Sequence, residues 1–129
     1  MKITALDHLV LTVADLQKTL DFYVGVLGIS EITFGENRKA LQFGSQKINL
    51  HELGKEIQPN ALNAVCGSGD LCLLTDSPLD EVMRHLQTHR IEIIDGIVPR
   101  TGAVGVIHSI YVRDPDGNLI EISSYNLGA

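Results

Sequence analysis

One order of elements, a strand, a helix and then three strands, is legible twice in this chain. A sequence that repeats such a unit has few ways to bury both copies. The first copy opens with Asp7-His8-Leu9-Val10-Leu11-Thr12-Val13, an alternating run, and passes through Asp15, a good helix N-cap. Leu16, Leu20, Tyr23, Val24 and Leu27 then recur at helical spacing up to Gly28. Three strand-like runs follow at 29–34, 38–43 and 46–52, separated by the turn signals Gly35-Glu36-Asn37 and Gly44-Ser45. The pattern restarts at 70–75. Asp76 or Ser77 is expected to cap a helix carrying Leu79, Val82, Met83 and Leu86 on one face, and strands are expected at 91–98, 106–113 and 118–125. Leu9, Leu11, Leu16 and Leu20 match Leu71, Leu73, Leu79 and Met83 at a spacing of 62 or 63 residues, a weak echo beside the stronger repeat in element order. One helix per copy covers one sheet face and leaves the other faces to line a cavity.

With 129 residues, 44% of them hydrophobic, the chain can build an adequate core. A net charge of −6 with scattered Lys and Arg argues against a nucleic-acid partner. No stretch approaches the roughly 20 apolar residues of a membrane span, and the first residues reach Asp7 before any run of signal-peptide length, so a cytoplasmic protein is expected. Cys66 and Cys72 are too few for a disulfide scaffold and too far apart for a C-x-x-C pair.

Strand alternation sorts the chemistry. His8, Val10 and Thr12 share one face of the first run, and Glu121 and Ser123 lie opposite Ile120 and Ile122 in the last. Asn49 in Ile48-Asn49-Leu50 corresponds to Glu121 in Ile120-Glu121-Ile122, and His8 corresponds to Asp70. His51 lies two residues beyond Asn49 on the same face. Two imidazoles and a carboxylate, His8, His51 and Glu121, suit borderline divalent metals. Each residue alone reads as readily as a structural group; their shared strand positions favour a site.

Other features read more plainly. His85 and His89 fall off the apolar helix face, and His108 has core-side parity, whereas Ser109, Tyr111 and Arg113 have the parity of a cleft lining. Asp114-Pro115-Asp116-Gly117 is a turn without EF-hand ligand spacing, and Arg100 is expected in a flexible linker at 100–103. No P-loop, G-x-G-x-x-G, G-x-S-x-G or H-E-x-x-H occurs.

Together, the 7–13 run, Leu16…Leu20-Asp21-Phe22-Tyr23…Leu27-Gly28 and the 114–122 segment resemble the vicinal oxygen chelate superfamily of glyoxalases, bleomycin- and fosfomycin-resistance proteins and extradiol dioxygenases. The segments at 46–52 and 98–103 are most similar to a branch of glyoxalase-domain-containing proteins that includes bacterial virulence proteins. The resemblance implies an α+β fold: two paired β-α-β-β-β modules forming a curved mixed sheet with a concave cleft. It implies one domain over 1–129, with modules at about 1–53 and 69–129 and a connector at about 54–68. It also implies a homodimer, with clefts that in many members combine strands of both chains.

Family ligands come from the first and last strand of each module. That maps His8 and Glu121 onto ligand positions directly, with Asn49 and Asp70 at the other two, where neither fits cleanly. His51 is the expected substitute for Asn49, although two strand residues displace a side chain by about 6.6 Å and a bulge would be needed. Asp70 is expected to bind the metal or to accept a hydrogen bond from His8. The implied activity is a glyoxalase or lyase reaction in which Ni, Zn, Mn or Fe chelates adjacent substrate oxygens and stabilises an enediolate or alkoxide. Glu121 would ligate and shuttle a proton, Tyr111, Ser109 and Asn49 would contact substrate, and Arg100 would neutralise its carboxylate or phosphonate. A non-catalytic small-molecule or antibiotic binder and an extradiol dioxygenase are the alternatives.

Overall fold

The computed structural model describes residues 1–126. The chain divides into two compact units, Met1–Ser68 and Gly69–Ala129. Each holds an open four-stranded mixed sheet with little helix.

In the first unit, β1 (His8–Val13) is followed by α1 (Leu16–Leu20), a π-helical segment (Asp21–Val26), β2 (Ser30–Phe34), β3 (Arg38–Phe43) and β4 (Gln46–Glu52). The sheet order is β1-β4-β3-β2, with β1 parallel to β4 and the other pairs antiparallel. The expected N-cap is in place: Asp15 Oδ1 accepts from the Lys18 backbone N–H at 3.0 Å. The helix does not stay α-helical to Gly28. From Asp21 it widens, and the Leu27 N–H bonds to Phe22 O five residues back at 3.0 Å. The wider turn lets two consecutive residues, Phe22 and Tyr23, both be buried, edge to face at 5.0 Å. Gly28, at φ 75°, then reverses the chain so that the Ile29 N–H reaches Tyr23 O. Leu11, Val13, Leu41, Ile48 and Leu50 form the apolar side of the sheet, as alternation requires.

The second unit repeats the order with β5 (Asp70–Leu74), α2 (Leu79–Thr88), β6 (Asp95–Thr101), β7 (Val106–Arg113) and β8 (Leu119–Ser124), in sheet order β5-β8-β7-β6. Its first and last strands are again parallel neighbours. Two expectations at its helix and edge strand are corrected. Neither Asp76 nor Ser77 caps α2; Pro78 is the N-cap, its carbonyl accepting from Glu81 and Val82 N–H, while the Ser77 N–H is held by Thr75 Oγ1. The strand expected at 91–98 lies at Asp95–Thr101 instead. Ile91 still belongs to the helix exit, its N–H bonded to Leu86 O after Arg90 turns at φ 59°. Pro99 is tolerated because β6 is an edge strand.

A register shift between Gly96 and Val98 breaks the alternation of β6. Asp95 pairs with Tyr111 before the shift and Val98 with Ser109 after it, so Asp95 and Arg100 end on one face despite their odd spacing. Gly96 is required there: a Cβ would stand 2.7 Å from Ser109 O and 2.8 Å from Ile110 Cα. The Asp114-Pro115-Asp116-Gly117 turn behaves as expected and does one thing more. Asp114 accepts from the Asp116 and Asn118 N–H groups and from Asn118 Nδ2, while Asn118 Oδ1 accepts from the Gly69 N–H at 2.6 Å, clipping the start of β5 to β8.

Candidate functional site

Each unit presents a polar sheet face, and its chemistry follows from the parallel pairing of first and last strands. In the second unit Cys72 of β5 is opposite Glu121 of β8, and Tyr111 of β7 flanks Glu121 on the other side. Ser109 and Ser123, also paired, lie one step along the same face and are fully buried. Ser109 Oγ donates to Glu121 Oε2 at 2.6 Å, Ser109 and Ser123 Oγ atoms are 2.7 Å apart, and Cys72 Sγ donates to Ser123 Oγ at 3.2 Å. Proton counting resolves the direction. Each hydroxyl has one hydrogen; with that of Ser109 on Glu121, Ser123 donates to Ser109 at 2.7 Å in preference to Glu121 Oε2 at 3.3 Å, so the chain runs Cys72 to Ser123 to Ser109 to Glu121. One carboxylate oxygen is thereby fixed and Oε1 remains available. Although Cys72 keeps an exposed side chain, partial desolvation pushes its thiol up, the Ser123 contact pulls it down, and the Glu121 charge adds to the rise.

This arrangement reassigns Ser109. Expected at the substrate, it is enclosed and its hydrogen is committed to Glu121. Arg100 is likewise not on a flexible linker. It sits in β6, donating from Nε to Tyr111 Oη at 3.0 Å and from Nη1 to Pro99 O, with Nη2 3.4 Å from Asp95 Oδ2. Its guanidinium is committed to these neighbours. Tyr111, accepting from Arg100, keeps its own proton to donate. Asp70 is exposed at the start of β5, on the face of Glu121 and one diagonal step from it.

In the first unit His8 pairs with Lys47, Val10 with Asn49 and Thr12 with His51. His8 Nδ1 is 2.8 Å from Asp7 Oδ2. Within the unit, the carboxylate that holds His8 is Asp7, its chain neighbour. A carboxylate on Nδ1 fixes the tautomer with Nε2 as the open lone pair, the form that binds a metal. Asn49 and His51 are 6% and 7% exposed, and Asn49 Oδ1 and both His51 ring nitrogens are buried without a hydrogen-bond partner. No bulge moves His51 toward the Asn49 position. It lies four register steps from His8, about 13 Å along the strands, and strand side chains stand roughly perpendicular to the sheet, so these two imidazoles cannot share an ion within this unit.

Among the described residues, no three His, Cys, Asp or Glu side chains form a metal-holding group. Taken one at a time, His8 and Glu121 each have donor chemistry that suits a divalent ion: an imidazole with a carboxylate on Nδ1, and a carboxylate with one oxygen pinned and one open. Asp7, Cys72 and Ser123 were not singled out as functional by the sequence pattern. The available signals were the carboxylate next to His8 and the shared parity of Cys72, Glu121 and Ser123. His85 on α2 and His89 at its C-cap are exposed, with ring centroids 4.6 Å apart and planes tilted by 55°. Among the described residues, no helix is long and apolar enough to cross a membrane.

Residues 5–122 match the Glyoxalase/Bleomycin resistance protein/Dioxygenase superfamily. The chain is 56% identical over 125 residues to glyoxalase domain-containing protein RDO1 of Mycosarcoma maydis, covering 97% of this chain and 70% of that protein. It is 54% identical to virulence protein STM3117 of Salmonella typhimurium, covering 97% and 87%. An integron cassette protein of V. cholerae superposes with a TM-score of 0.95 at 56% identity, covering 98% of both chains. Two more distant structures share the fold: lactoylglutathione lyase of Agrobacterium tumefaciens (TM-score 0.73, 21% identity, 99% and 98% covered) and TnmS3, an antibiotic-binding protein of a Streptomyces species (0.75, 22%, 96% and 98%). The chain belongs to the glyoxalase/bleomycin resistance protein/dioxygenase superfamily.

Proposed function

We propose that this chain is a divalent-metal-dependent enzyme of the glyoxalase or lyase type, acting on a small molecule with two adjacent oxygens. The observation that carries the reading is Glu121: a carboxylate fixed through Oε2 by a buried hydroxyl relay, with Oε1 left to act. A carboxylate already oriented for its task costs little reorganisation when charge develops beside it. His8 and Glu121 are the proposed ligands, with Asp70 a further candidate beside Glu121. A bound Ni, Zn, Mn or Fe ion would supply Lewis acidity toward the paired substrate oxygens.

The chain's own groups do the rest. Glu121 Oε1 is the atom that binds the ion or takes a substrate proton; Ser109 keeps the carboxylate from rotating. Tyr111 Oη, held by Arg100, donates its hydrogen toward a substrate oxygen. Asp7 keeps the His8 ring in one tautomer. The reading extends to a cytoplasmic homodimer, whose mass in solution checks the assembly.

A second reading has one observation in its favour. Asn49, a poor metal ligand, stands in the first unit where Glu121 stands in the second, which suits a module that binds a small molecule without turnover. The Agrobacterium lyase and the Streptomyces antibiotic-binding protein represent the two classes on this fold. The test is turnover of hemithioacetals and other vicinal-oxygen substrates by metal-stripped and metal-reloaded protein. Turnover restored only by metal, and lost in His8→Ala, supports the enzyme. Calorimetric small-molecule binding that is metal-independent and survives His8→Ala, without turnover, replaces it with the binder.

A further inference from the structure

The two polar faces differ in charge, and the difference identifies a substrate property. The strand residues that share the first unit's polar face include His8, Phe34, Arg38, Lys47, Asn49 and His51. None of them is acidic. The strand acids of that sheet, Glu31 and Glu52, have the opposite parity, where Lys39 and Lys55 pair with them at 2.9 and 3.4 Å. Arg38 and Lys47 have no carboxylate partner among the described residues. Instead both cations lie over the Phe34 ring, with Arg38 Cζ 4.6 Å and Lys47 Nζ 3.8 Å from its centroid. In a chain of net charge −6, a sheet face with two unpaired cations and no strand acid is unusual.

The independent observation is the buried pair beside these cations. Asn49 Oδ1 and both nitrogens of His51 are more than nine-tenths buried and unpartnered. Leaving such groups unpaired in a buried position is unfavourable, and a ligand that pairs them relieves that cost. Two acids approach this face from outside the strands. Asp7 is engaged with His8, and Glu56, half-buried, accepts from the Gly54 N–H at 2.7 Å, which is the main cause that lowers its carboxyl, with a smaller contribution from His51. On the second unit's face the cations are already engaged: Arg100 by Tyr111, Pro99 and Asp95, and Arg113 by Gly117 O.

We propose that the polar face of the first sheet is an anion-recognising subsite, in which Lys47 and Arg38 hold a carboxylate or phosphonate of the substrate while His51 and Asn49 bond the polar groups next to it. The inference rests on the small-molecule site proposed above and gives its substrate class: a small anionic molecule. It also transfers the anion clamp from Arg100 to Lys47 and Arg38. Phe34 holds the two cations apart from any carboxylate, so they meet the ligand with little cost of separation from a partner. Lys47, opposite His8 in the register, puts the anion beside a proposed metal ligand.

The test needs no metal, so it fails separately from the metal reading. Metal-stripped full-length protein is titrated with malonate, methylphosphonate and neutral malonamide while backbone amide and His51 ring signals are followed by NMR. Malonate or methylphosphonate should give saturable shifts in β3, β4 and the His51 ring, and malonamide none; the stronger of the two anions tells carboxylate from phosphonate. The double substitution Lys47→Gln with Arg38→Gln should weaken the anion at least about tenfold, as expected for lost charge-assisted hydrogen bonds. Lys47→Arg, which keeps the charge and guards against a misfolded double variant, should bind within about threefold of the parent. No saturable anion binding, an equal response to malonamide, shifts centred on Arg100 and Arg113, or unchanged affinity in the folded double variant would each overturn the proposal.

Discussion

Position for position, the two sheets carry opposite solutions on one plan. Asn49 in β4 occupies the place of Glu121 in β8, His51 that of Ser123, and Val10 that of Cys72. In the second unit these places are wired to one another: thiol, two hydroxyls and a carboxylate form a single file of donors ending on Glu121. In the first unit the places of Glu121 and Ser123 hold an amide oxygen and an imidazole that are buried yet unpartnered. Wiring fixes a group for one task; a buried group without a partner is kept for something that arrives from outside the unit. On the reading proposed above, the repeat divides the work, with a preorganised carboxylate on one sheet and a receptive, cationic surface on the other.

The largest effect that would sharpen this contrast is on metal affinity. His8→Ala and Glu121→Ala should each weaken Zn or Ni binding by more than about hundredfold in calorimetry, since loss even of a group that only orients a ligand costs about 10–100-fold. Asn49→Ala should leave metal affinity within a few-fold; an equal loss there would erase the division between the sheets.

Next is the wiring itself. Ser109→Ala removes the short donor to Glu121 and should lower metal affinity by about tenfold and stability by about 1–3 kcal/mol in urea unfolding, because Ser123 at 3.3 Å is a poorer substitute. The mirror experiment in the first unit should go the other way. His51→Leu removes two unpartnered buried nitrogens, so it should leave stability unchanged or raise it by about 1 kcal/mol while weakening the anion less than the loss of Lys47 and Arg38 does. A loss of several kcal/mol would show that His51 is a structural group.

The smallest effect concerns Cys72. Burial and the nearby Glu121 disfavour its thiolate in the fold, so the folded value is raised. Its stabilising contribution is present below the free thiol's value and is lost as pH rises through the folded one. Iodoacetamide should accordingly modify Cys72 slowly at neutral pH, with the rate rising at higher pH than for a cysteine peptide. Rapid modification at pH 7 would break the relay's proposed direction.

Much of this was legible before any coordinates. Alternation and turn residues give β3, β4 and β7 their bounds, and the restarting element order gives two modules of one topology, each of which forms a sheet of its own where one curved sheet was expected. Alternation also put Glu121 and Ser123 on one face. What stayed hidden has local physical causes. The bulge at Gly96 to Val98 hides β6 from any period-two reading and turns Arg100 from a loop cation into a strand residue tied to Tyr111. Ser109 has the parity of a cleft residue, but parity is blind to depth, and only packing shows that it is enclosed. The cation pair on Phe34 joins residues from three strands, which no local pattern can bring together.

The central claim is that His8 and Glu121 hold a divalent metal on a framework prepared for it, and elemental analysis of protein purified without chelators tests it most directly. The account predicts stoichiometric Ni, Zn, Mn or Fe in the parent chain and its loss in both His8→Ala and Glu121→Ala. A parent chain that neither retains nor takes up any of these ions, or variants that keep the full complement, would contradict it.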